Sequence, residues 1–269
     1  MSGSRLESCF GALKAQKKTA LVVYLTVGEP SLADTLACAR AALEGGADVL
    51  ELGMPFSDPT ADGPVIAAAS YRAIQRGGSL KMALACASEL RKASDAPLVL
   101  MGYYNPVVAF GETALPQAAA QAGVDGLLIV DLPPEEGASL RAAAKAAGVA
   151  VIPLVAPTTR PEREPKLFAG AQGFVYYVTV TGVTGAKGAP LGEAGKTARA
   201  VGDRAGLPVV AGFGVRTPAD ASALSRTGVD GVVVGTEVVR VMAETTDTES
   251  RARAVLELVR GLRGGLDAR

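Results

Sequence analysis

Glu51 is the residue whose position most strongly suggests acid–base chemistry. It is a lone charge in the apolar run Val49-Leu50-Glu51-Leu52, which predicts a buried strand. Burial raises the pKa of a carboxyl group, and a carboxyl tuned in this way can both give and take protons near neutral pH. The alternative is a structural carboxylate, either paired with a neighbour or in contact with water at the strand end.

Two further carboxylates lie where they could join Glu51. Asp62 follows in a loop punctuated by proline and glycine, and could face Glu51 as a second carboxylate. Taken alone, it would more often be a turn residue or a helix N-cap, because Asp-Gly pairs are common in turns. Asp131 ends another predicted strand, and a structural hydrogen-bonding role is at least an equal alternative there.

The composition limits the chemistry that these carboxylates can share. The 269 residues include no His and no Trp, and 27 basic residues balance 27 acidic ones. Without His there is no Ser-His-Asp triad, no His general base and no His metal site. The balanced charge argues against a nucleic-acid-binding surface, and no segment has the pattern of a secretory signal or a membrane span. The three cysteines lack ligand spacing and suit a reduced, cytoplasmic protein: Cys9, Cys38 and Cys86.

Eight short apolar runs must position these residues, and they alternate with Ala-rich stretches of helical periodicity. The runs are nearly continuous in apolar residues, as is typical of parallel strands covered on both faces. Eight such units predict an α/β fold, a single (β/α)8 TIM barrel spanning residues 1–269. A doubly wound open sheet is the alternative, but no Gly-x-Gly-x-x-Gly follows the first strand. The predicted strands are Ala20–Thr26, Asp48–Gly53, Pro97–Tyr104, Gly126–Asp131, Ala150–Val155, Phe174–Val180, Leu207–Gly212 and Gly231–Gly235.

Local patterns predict the helices and the turns between them. Ser4–Lys17 is interpreted as an extra helix before the first strand, and Thr246–Leu262 as the closing helix. Glycine at a helix end followed directly by a strand is economical turn chemistry. It occurs at Gly45-Gly46-Ala47-Asp48, Gly123-Val124-Asp125, Gly148-Val149 and Gly228-Val229-Asp230.

Glycines follow the last three predicted strands, at the end of a barrel where active sites form. Glycine lets backbone N–H groups approach an anion closely, and a following helix N-terminus adds a favourable dipole. Three clusters therefore predict a phosphate site, although each alone could simply make a tight turn: Gly182/Gly185, Gly212/Gly214 and Gly235/Thr236.

The positions of Lys and the absence of His argue against several kinds of carbon–carbon lyase. No Lys lies inside a predicted strand, which disfavours a Schiff-base aldolase, and a metal aldolase would normally use His ligands. What remains is a cofactor-free isomerase or lyase that acts on a phosphate ester through carboxylates. If a C–C bond breaks, the substrate must supply its own electron sink.

One long motif resembles the signature of the tryptophan synthase alpha chain family. It reads Glu51-Leu52-Gly53-Met54-Pro55-Phe56-Ser57-Asp58-Pro59 and continues with Ala61-Asp62-Gly63-Pro64. The resemblance covers essentially the whole chain, because further matching segments follow in order: Met101–Pro106, Asp131–Pro133, Gly182–Gly185 and Gly212–Gly214.

The resemblance implies a lyase of L-tryptophan biosynthesis, tryptophan synthase (EC 4.2.1.20), alpha reaction. It would cleave indole-3-glycerol phosphate to indole and D-glyceraldehyde 3-phosphate, with the indole ring as the electron sink. By the family pattern Glu51 is the proton shuttle, Asp62 holds the indole N–H, and Tyr176 assists beside the reacting groups. A packed barrel tyrosine is the alternative for Tyr176.

The family pattern also assigns the binding residues. Tyr24, Tyr103 and Phe213 would line the indole pocket, and Thr184 in a lid at Gly182–Gly192 would close over Asp62. The phosphate would be held by Gly185, Gly214, Gly235 and Thr236, the last standing where the family more often has Ser.

The partner implied is the tryptophan synthase beta chain, in an alpha2-beta2 heterotetramer whose beta chains alone hold pyridoxal phosphate. Asp58 to Thr60 and the lid at Gly182–Gly192 would carry part of that contact. Two alternatives stay open: a different phosphate-binding barrel enzyme, such as a sugar-phosphate isomerase or indole-3-glycerol phosphate synthase, and a non-catalytic subunit that only activates a beta chain. A subunit that only activates a beta chain would not need Glu51 and Asp62. Indole-3-glycerol phosphate synthase would want a Lys at a strand end as its acid, which this sequence lacks.

Overall fold

The computed structural model describes residues 4–178, 191–212 and 214–268. The strands of these ranges are β1 (Ala20–Thr26), β2 (Val49–Gly53), β3 (Leu98–Gly102), β4 (Gly126–Ile129), β5 (Ala150–Val151), β6 (Leu154–Val155), β7 (Val175–Val178), β8 (Val209–Gly212) and β9 (Gly231–Val234). All neighbouring pairs are parallel, in the order β5-β4-β3-β2-β1-β9-β8-β7-β6.

The two outermost strands of this order, β5 and β6, are consecutive pieces of one chain segment. Ile152 donates its backbone N–H to the Leu127 carbonyl of β4 at 2.9 Å, and the Pro153 carbonyl accepts the Tyr176 N–H of β7 at 2.9 Å. Proline has no N–H to donate, so the ladder is interrupted at Pro153. The fifth predicted strand is therefore divided into β5 and β6, which pair with β4 and β7 and so close the sheet. The predicted TIM barrel is confirmed.

The helices are α1 (Arg5–Ala15), α2 (Leu32–Glu44), α3 (Pro64–Gln75), α4 (Leu80–Arg91), α5 (Tyr104–Phe110), α6 (Ala114–Gln121), α7 (Ala138–Ala147), α8 (Glu164–Phe168), α9 (Leu191–Ala205), α10 (Pro218–Ser225), α11 (Thr236–Glu244) and α12 (Thr248–Asp267). The predicted extra helix is α1. It begins after a capping box in which the Ser4 hydroxyl accepts the Glu7 N–H and the Glu7 carboxylate accepts the Ser4 N–H. No helix in these ranges has the length and apolar composition needed to cross a bilayer.

The third predicted strand, Pro97–Tyr104, is too long at its end. β3 stops at Gly102, and Tyr104 begins α5. The Asp131 carboxylate accepts the Tyr104 N–H at 2.7 Å, so this residue caps the first turn of a neighbouring helix. In the described structure Asp131 therefore has the hydrogen-bonding role that was the alternative for it.

Alternate residues of each strand point into the barrel, where they form a core separate from the layer between strands and helices. α1 closes the amino-terminal end of the barrel, because its Leu6, Phe10 and Leu13 pack into that inner core. The rings of Phe10 and Phe174 are 5.4 Å apart. Apolar side chains therefore fill this end of the barrel, whereas the cavity described below opens at the carboxyl ends of the strands.

Three aspartates that directly precede strands tie those strands to their neighbours. Each carboxylate accepts a backbone N–H at the start of the adjacent strand, from the first residue of β3 and of β8 and from the second residue of β1, and it binds at least one arginine. The sets are Asp48 with Leu21 and Arg263, Asp125 with Leu98 and Arg91, and Asp230 with Val209 and Arg199. In the repeated Gly-x-Asp pattern the glycine thus follows the end of a helix, and the aspartate anchors the start of the next strand to its neighbour.

Candidate active site

A cavity of about 220 Å³ opens at the carboxyl ends of the strands. It brings together seven of the residues assigned to the site from the sequence: Tyr24, Glu51, Asp62, Tyr176, Gly214, Gly235 and Thr236. Apolar side chains that the sequence analysis did not single out complete the wall, namely Ile66, Met101, Val130, Leu154, Val178 and Val233. A mostly apolar cavity with a few convergent polar groups is the usual form of a small-molecule site.

Glu51 reaches the cavity from the middle of β2. Its side chain is fully buried, and neither carboxylate oxygen has a hydrogen-bond partner among the described residues. Burial, with a smaller contribution from the negative charge of Asp62, raises the pKa of Glu51 to about 8. The carboxyl group therefore keeps its proton at neutral pH and can donate it.

Asp62 enters from the loop that joins β2 to α3. The carboxyl is half-buried, and burial raises its pKa to about 6, against the opposing effect of a hydrogen bond from Tyr103. At neutral pH this group is mostly ionised while Glu51 is mostly protonated. The cavity thus holds one proton donor and one carboxylate, which is the pairing that acid–base catalysis by two carboxyls requires.

Tyr24 and Tyr176 present buried hydroxyl groups to the same space. Burial raises the pKa of both phenols well above the ordinary value, so both stay neutral. The Tyr24 oxygen accepts a hydrogen bond from the Thr26 hydroxyl at 3.3 Å. Neutral phenols of this kind can donate a hydrogen bond to a substrate or to a carboxylate.

Two glycines make room for these hydroxyls. A Cβ atom on Gly53 would lie 2.2 Å from the Tyr24 hydroxyl, and one on Gly212 would lie 3.0 Å from the Tyr176 hydroxyl. The sequence places each glycine at a strand end, but it does not reveal which side chain occupies the space. Gly53 is therefore a site residue whose role the strand-end motif alone does not reveal.

Tyr103 lies behind this cavity instead of lining it. Its buried hydroxyl accepts the Ala61 N–H at 2.9 Å and donates to the Asp62 carboxylate, and its ring packs against Phe56 at 5.2 Å. The assignment of Tyr103 to the wall of an indole pocket stays a prediction, while its described contacts are with the loop that carries Asp62.

Two of the glycines predicted to hold phosphate, Gly214 and Gly235, line the cavity together with Thr236. Gly214 has a φ of 66°, in the left-handed region that favours glycine. Gly235 is the N-cap of α11 and Thr236 its first residue, so free N–H groups of the first turn face the cavity. The remaining binding residues assigned from the sequence, Thr184, Gly185 and Phe213, lie outside the described residues, as does most of the lid at Gly182–Gly192.

Within the described ranges, no three Cys, Asp or Glu side chains come together as a metal ion would require. The chemistry available to the described part of the cavity is therefore proton transfer and hydrogen bonding by Glu51, Asp62 and the two tyrosines.

Comparison with known proteins identifies similar chains along the whole length. The family model described as tryptophan synthase alpha chain matches residues 10–265. The sequence is 44% identical over 265 residues to the tryptophan synthase alpha chain of Xanthomonas axonopodis pv. citri (strain 306), which covers 98% of both chains. The relative from Xanthomonas euvesicatoria pv. vesicatoria (strain 85-10) is 43% identical, with the same coverage.

Solved structures agree with the sequence comparison. Tryptophan synthase subunit alpha from Legionella pneumophila str. Paris superposes with a TM-score of 0.92, at 33% identity and with 100% of both chains covered. A chain of tryptophan synthase from M. tuberculosis, in an aminoacrylate-bound form, has a TM-score of 0.85 at 32% identity, with 98% of this chain and 100% of that chain covered.

Proposed function

Because the chain belongs to the tryptophan synthase alpha chain family, we propose that its cavity carries out the alpha reaction of L-tryptophan biosynthesis. This lyase reaction cleaves indole-3-glycerol phosphate to indole and D-glyceraldehyde 3-phosphate. The single observation that carries the mechanism is the unpartnered, buried Glu51 carboxyl in the same cavity as the ionisable Asp62.

The protonated Glu51 begins the reaction by donating its proton to ring carbon C3 of the indole. The resulting indolenine carries positive charge at its N–H, which the ionised Asp62 stabilises through a charge-assisted hydrogen bond. The Glu51 carboxylate then takes the proton of the glycerol hydroxyl as the C–C bond breaks. The bonding electrons return to the ring, which yields indole and the aldehyde and leaves Glu51 protonated again.

The rest of the cavity binds the substrate in this proposal. Apolar side chains such as Ile66 and Met101 surround the indole ring together with Tyr24, and Tyr176 donates a hydrogen bond near the reacting groups. Gly214, Gly235 and Thr236 hold the phosphate with backbone N–H groups at the start of α11, joined by Gly185. Thr184, Phe213 and Tyr103 complete the set that the family pattern assigns.

The chain is proposed to act with a tryptophan synthase beta chain in an alpha2-beta2 heterotetramer. Asp58 and Thr60 are exposed in the loop after β2, at the same end of the barrel as the cavity, and Val108 of α5 exposes about half of its surface there. Pyridoxal phosphate is assigned to the beta chain, because enzymes hold this cofactor on a Lys and the described lining of this cavity includes none. Three free cysteines fit a cytoplasmic setting.

Indole release from indole-3-glycerol phosphate tests the function, with and without a beta chain. Glu51→Gln is expected to abolish turnover while substrate binding persists, and Asp62→Asn to reduce turnover strongly. Glu89→Gln, a surface change on α4 with the same chemistry, is the matched control and should match the wild type.

Full activity of Glu51→Gln would overturn the mechanism. A wild-type chain that releases no indole but still stimulates a beta chain would mean that the subunit is only an activator.

A further inference from the structure

The loop between β2 and α3 carries Asp62 at its end and is held at two points. At its start, the Ser70 hydroxyl of α3 accepts the Phe56 N–H at 2.8 Å and donates to the Phe56 carbonyl at 3.0 Å. At its end, the Tyr103 hydroxyl accepts the Ala61 N–H at 2.9 Å. Between these points Asp58 and Thr60 are exposed.

The Tyr103 hydroxyl has one proton, which it can donate to the Asp62 carboxylate. A phenol that accepts a backbone N–H still has its own O–H to donate. The side-chain hydrogen bond with Asp62 uses that proton, so one buried oxygen contacts two successive residues of the loop. A donor of this kind stabilises the ionised form of Asp62 and opposes the rise in its pKa caused by burial.

The Tyr103 ring is itself firmly placed. Its residue is the N-cap of α5 directly after β3, and its side chain is buried against the ring of Phe56. On the next residue, the Tyr104 N–H is held by the Asp131 carboxylate at 2.7 Å. The position of the hydroxyl is thus set by the end of β3, by α5 and by the ring contact with Phe56 at the start of the loop.

We propose that Tyr103 is a positioning residue for Asp62: its hydroxyl group holds the backbone at Ala61 and thereby fixes the place of the adjacent Asp62 carboxylate. The inference rests on the proposed function for the role of Asp62, and it goes beyond it by assigning to Tyr103 a part other than lining the indole pocket. Ala61 lies between the exposed Thr60 and Asp62 in the chain, so the hydroxyl holds the loop at the residue directly before the reacting carboxylate.

Tyr103→Phe is the direct test, because it removes the hydroxyl and keeps the ring that packs on Phe56. Loss of the hydrogen bond should raise the pKa of Asp62 by about one unit. The acid limb of the pH profile of kcat/KM should move up by the same amount. At pH 6, kcat should fall roughly fivefold with KM changed less than about threefold, because the lost contact acts on the transition state more than on substrate binding.

Tyr104→Phe is the matched control. It makes the same chemical change on the adjacent residue, whose hydroxyl contacts Glu112 and not the Asp62 loop. Its pH profile and rate should equal those of the wild type.

A measurement without substrate separates this inference from the proposed function. The titration of Asp62, followed by carboxyl 13C NMR and assigned by its loss in Asp62→Asn, reports on the hydrogen bond whether or not indole is released. A higher midpoint in Tyr103→Phe alone supports the inference. An unchanged midpoint in Tyr103→Phe, or an equal shift in Tyr104→Phe, overturns it, whereas a wild-type chain that releases no indole overturns the proposed function only.

Discussion

Glu51 and Asp62 carry the same functional group, and their surroundings separate their protonation states. Glu51 is fully enclosed and has no partner among the described residues, so the charged form is strongly disfavoured. Asp62 is half-buried and receives a hydrogen bond from Tyr103, which favours the charged form. The opposite environments place the two pKa values on either side of neutrality.

The pH dependence of the reaction follows from this separation. The rate requires Asp62 to be ionised and Glu51 to be protonated, so kcat/KM should rise near pH 6 and fall near pH 8. Steady-state indole release across the pH range checks the bell shape. In Asp62→Asn the basic limb should move to lower pH, because the charge that helps to raise the pKa of Glu51 is gone. A profile without a decline up to about pH 9 would contradict the assignment of Glu51.

Glu51 should also lower the stability of the fold as pH rises. Its pKa is about 8 when folded and 4.5 when unfolded, so between these values the folded chain holds the extra proton and raising the pH favours unfolding. Glu51→Gln removes this loss and should stabilise the protein by about 1–3 kcal/mol at pH 7, with little gain near pH 4.5. Urea unfolding at several pH values measures the difference. Glu89→Gln should show no such trend, and a gain independent of pH would argue against this origin.

At the level of single elements, the aspartates directly before β2, β4 and β9 each use a carboxylate to accept a backbone N–H of the neighbouring strand. Each of these N–H groups lies at the start of the adjacent strand, and an unpaired buried N–H would be costly. Arginines from the surrounding helices neutralise these carboxylates. The pattern connects each strand to its neighbour and to the helical layer at the amino-terminal end of the barrel, away from the cavity.

Asp125→Asn tests this role at the most buried of the three positions. Asp125 binds the Leu98 N–H, Arg91 and Arg5, so the substitution leaves a nearly buried arginine without its counter-charge. The unfolding free energy should fall by about 2–3 kcal/mol, while kcat below the melting range stays unchanged. Thermal and urea unfolding measure the loss. Asp95→Asn is the control, because Asp95 is exposed and only 3.7 Å from the same Arg5, and a comparable loss there would refute the explanation.

At the scale of the whole molecule, the barrel has one filled end and one open end. α1 places Leu6 and Phe10 into the inner core, and the apolar layers continue through Val49 to the level of Glu51. A carboxyl at that level is enclosed from below by packed side chains and faces only the cavity above. The packed end that holds α1 and the cavity that holds Glu51 thus lie at opposite ends of the barrel.

Leu6→Ala should destabilise the fold without altering the chemistry. Leu6 is fully buried and packs against the interior side of Gly173 and Gly126, so its truncation leaves a cavity and should cost about 2–5 kcal/mol. Urea unfolding and indole release at low temperature measure the two effects. Lys14→Ala, on the exposed face of the same helix, should leave stability nearly unchanged. A large fall in kcat with native stability would show that α1 affects the site more directly.

Several features of the molecule could be predicted from short stretches of sequence. Eight apolar runs with glycine-ended helices between them specify the barrel, because each run and each turn expresses a local preference of its own residues. The lone charge of Glu51 in an apolar run and the glycines after the last strands mark the reactive end for the same reason. The boundary at Tyr104 was wrong, since an apolar run continued past the point where Asp131 caps a new helix.

The kind of fold, the carboxylates available and the absence of histidine chemistry follow from the amino-acid sequence alone, since these depend on residue types and local order. The folded chain was needed to show that Glu51 has no partner among the described residues, that Gly53 makes room for the Tyr24 hydroxyl, and that Tyr103 contacts the loop that carries Asp62. Each of these depends on contacts between residues that belong to different strands or loops. A pKa and a hydrogen bond are set by such contacts, because burial and distance exist only once the chain has closed into the barrel.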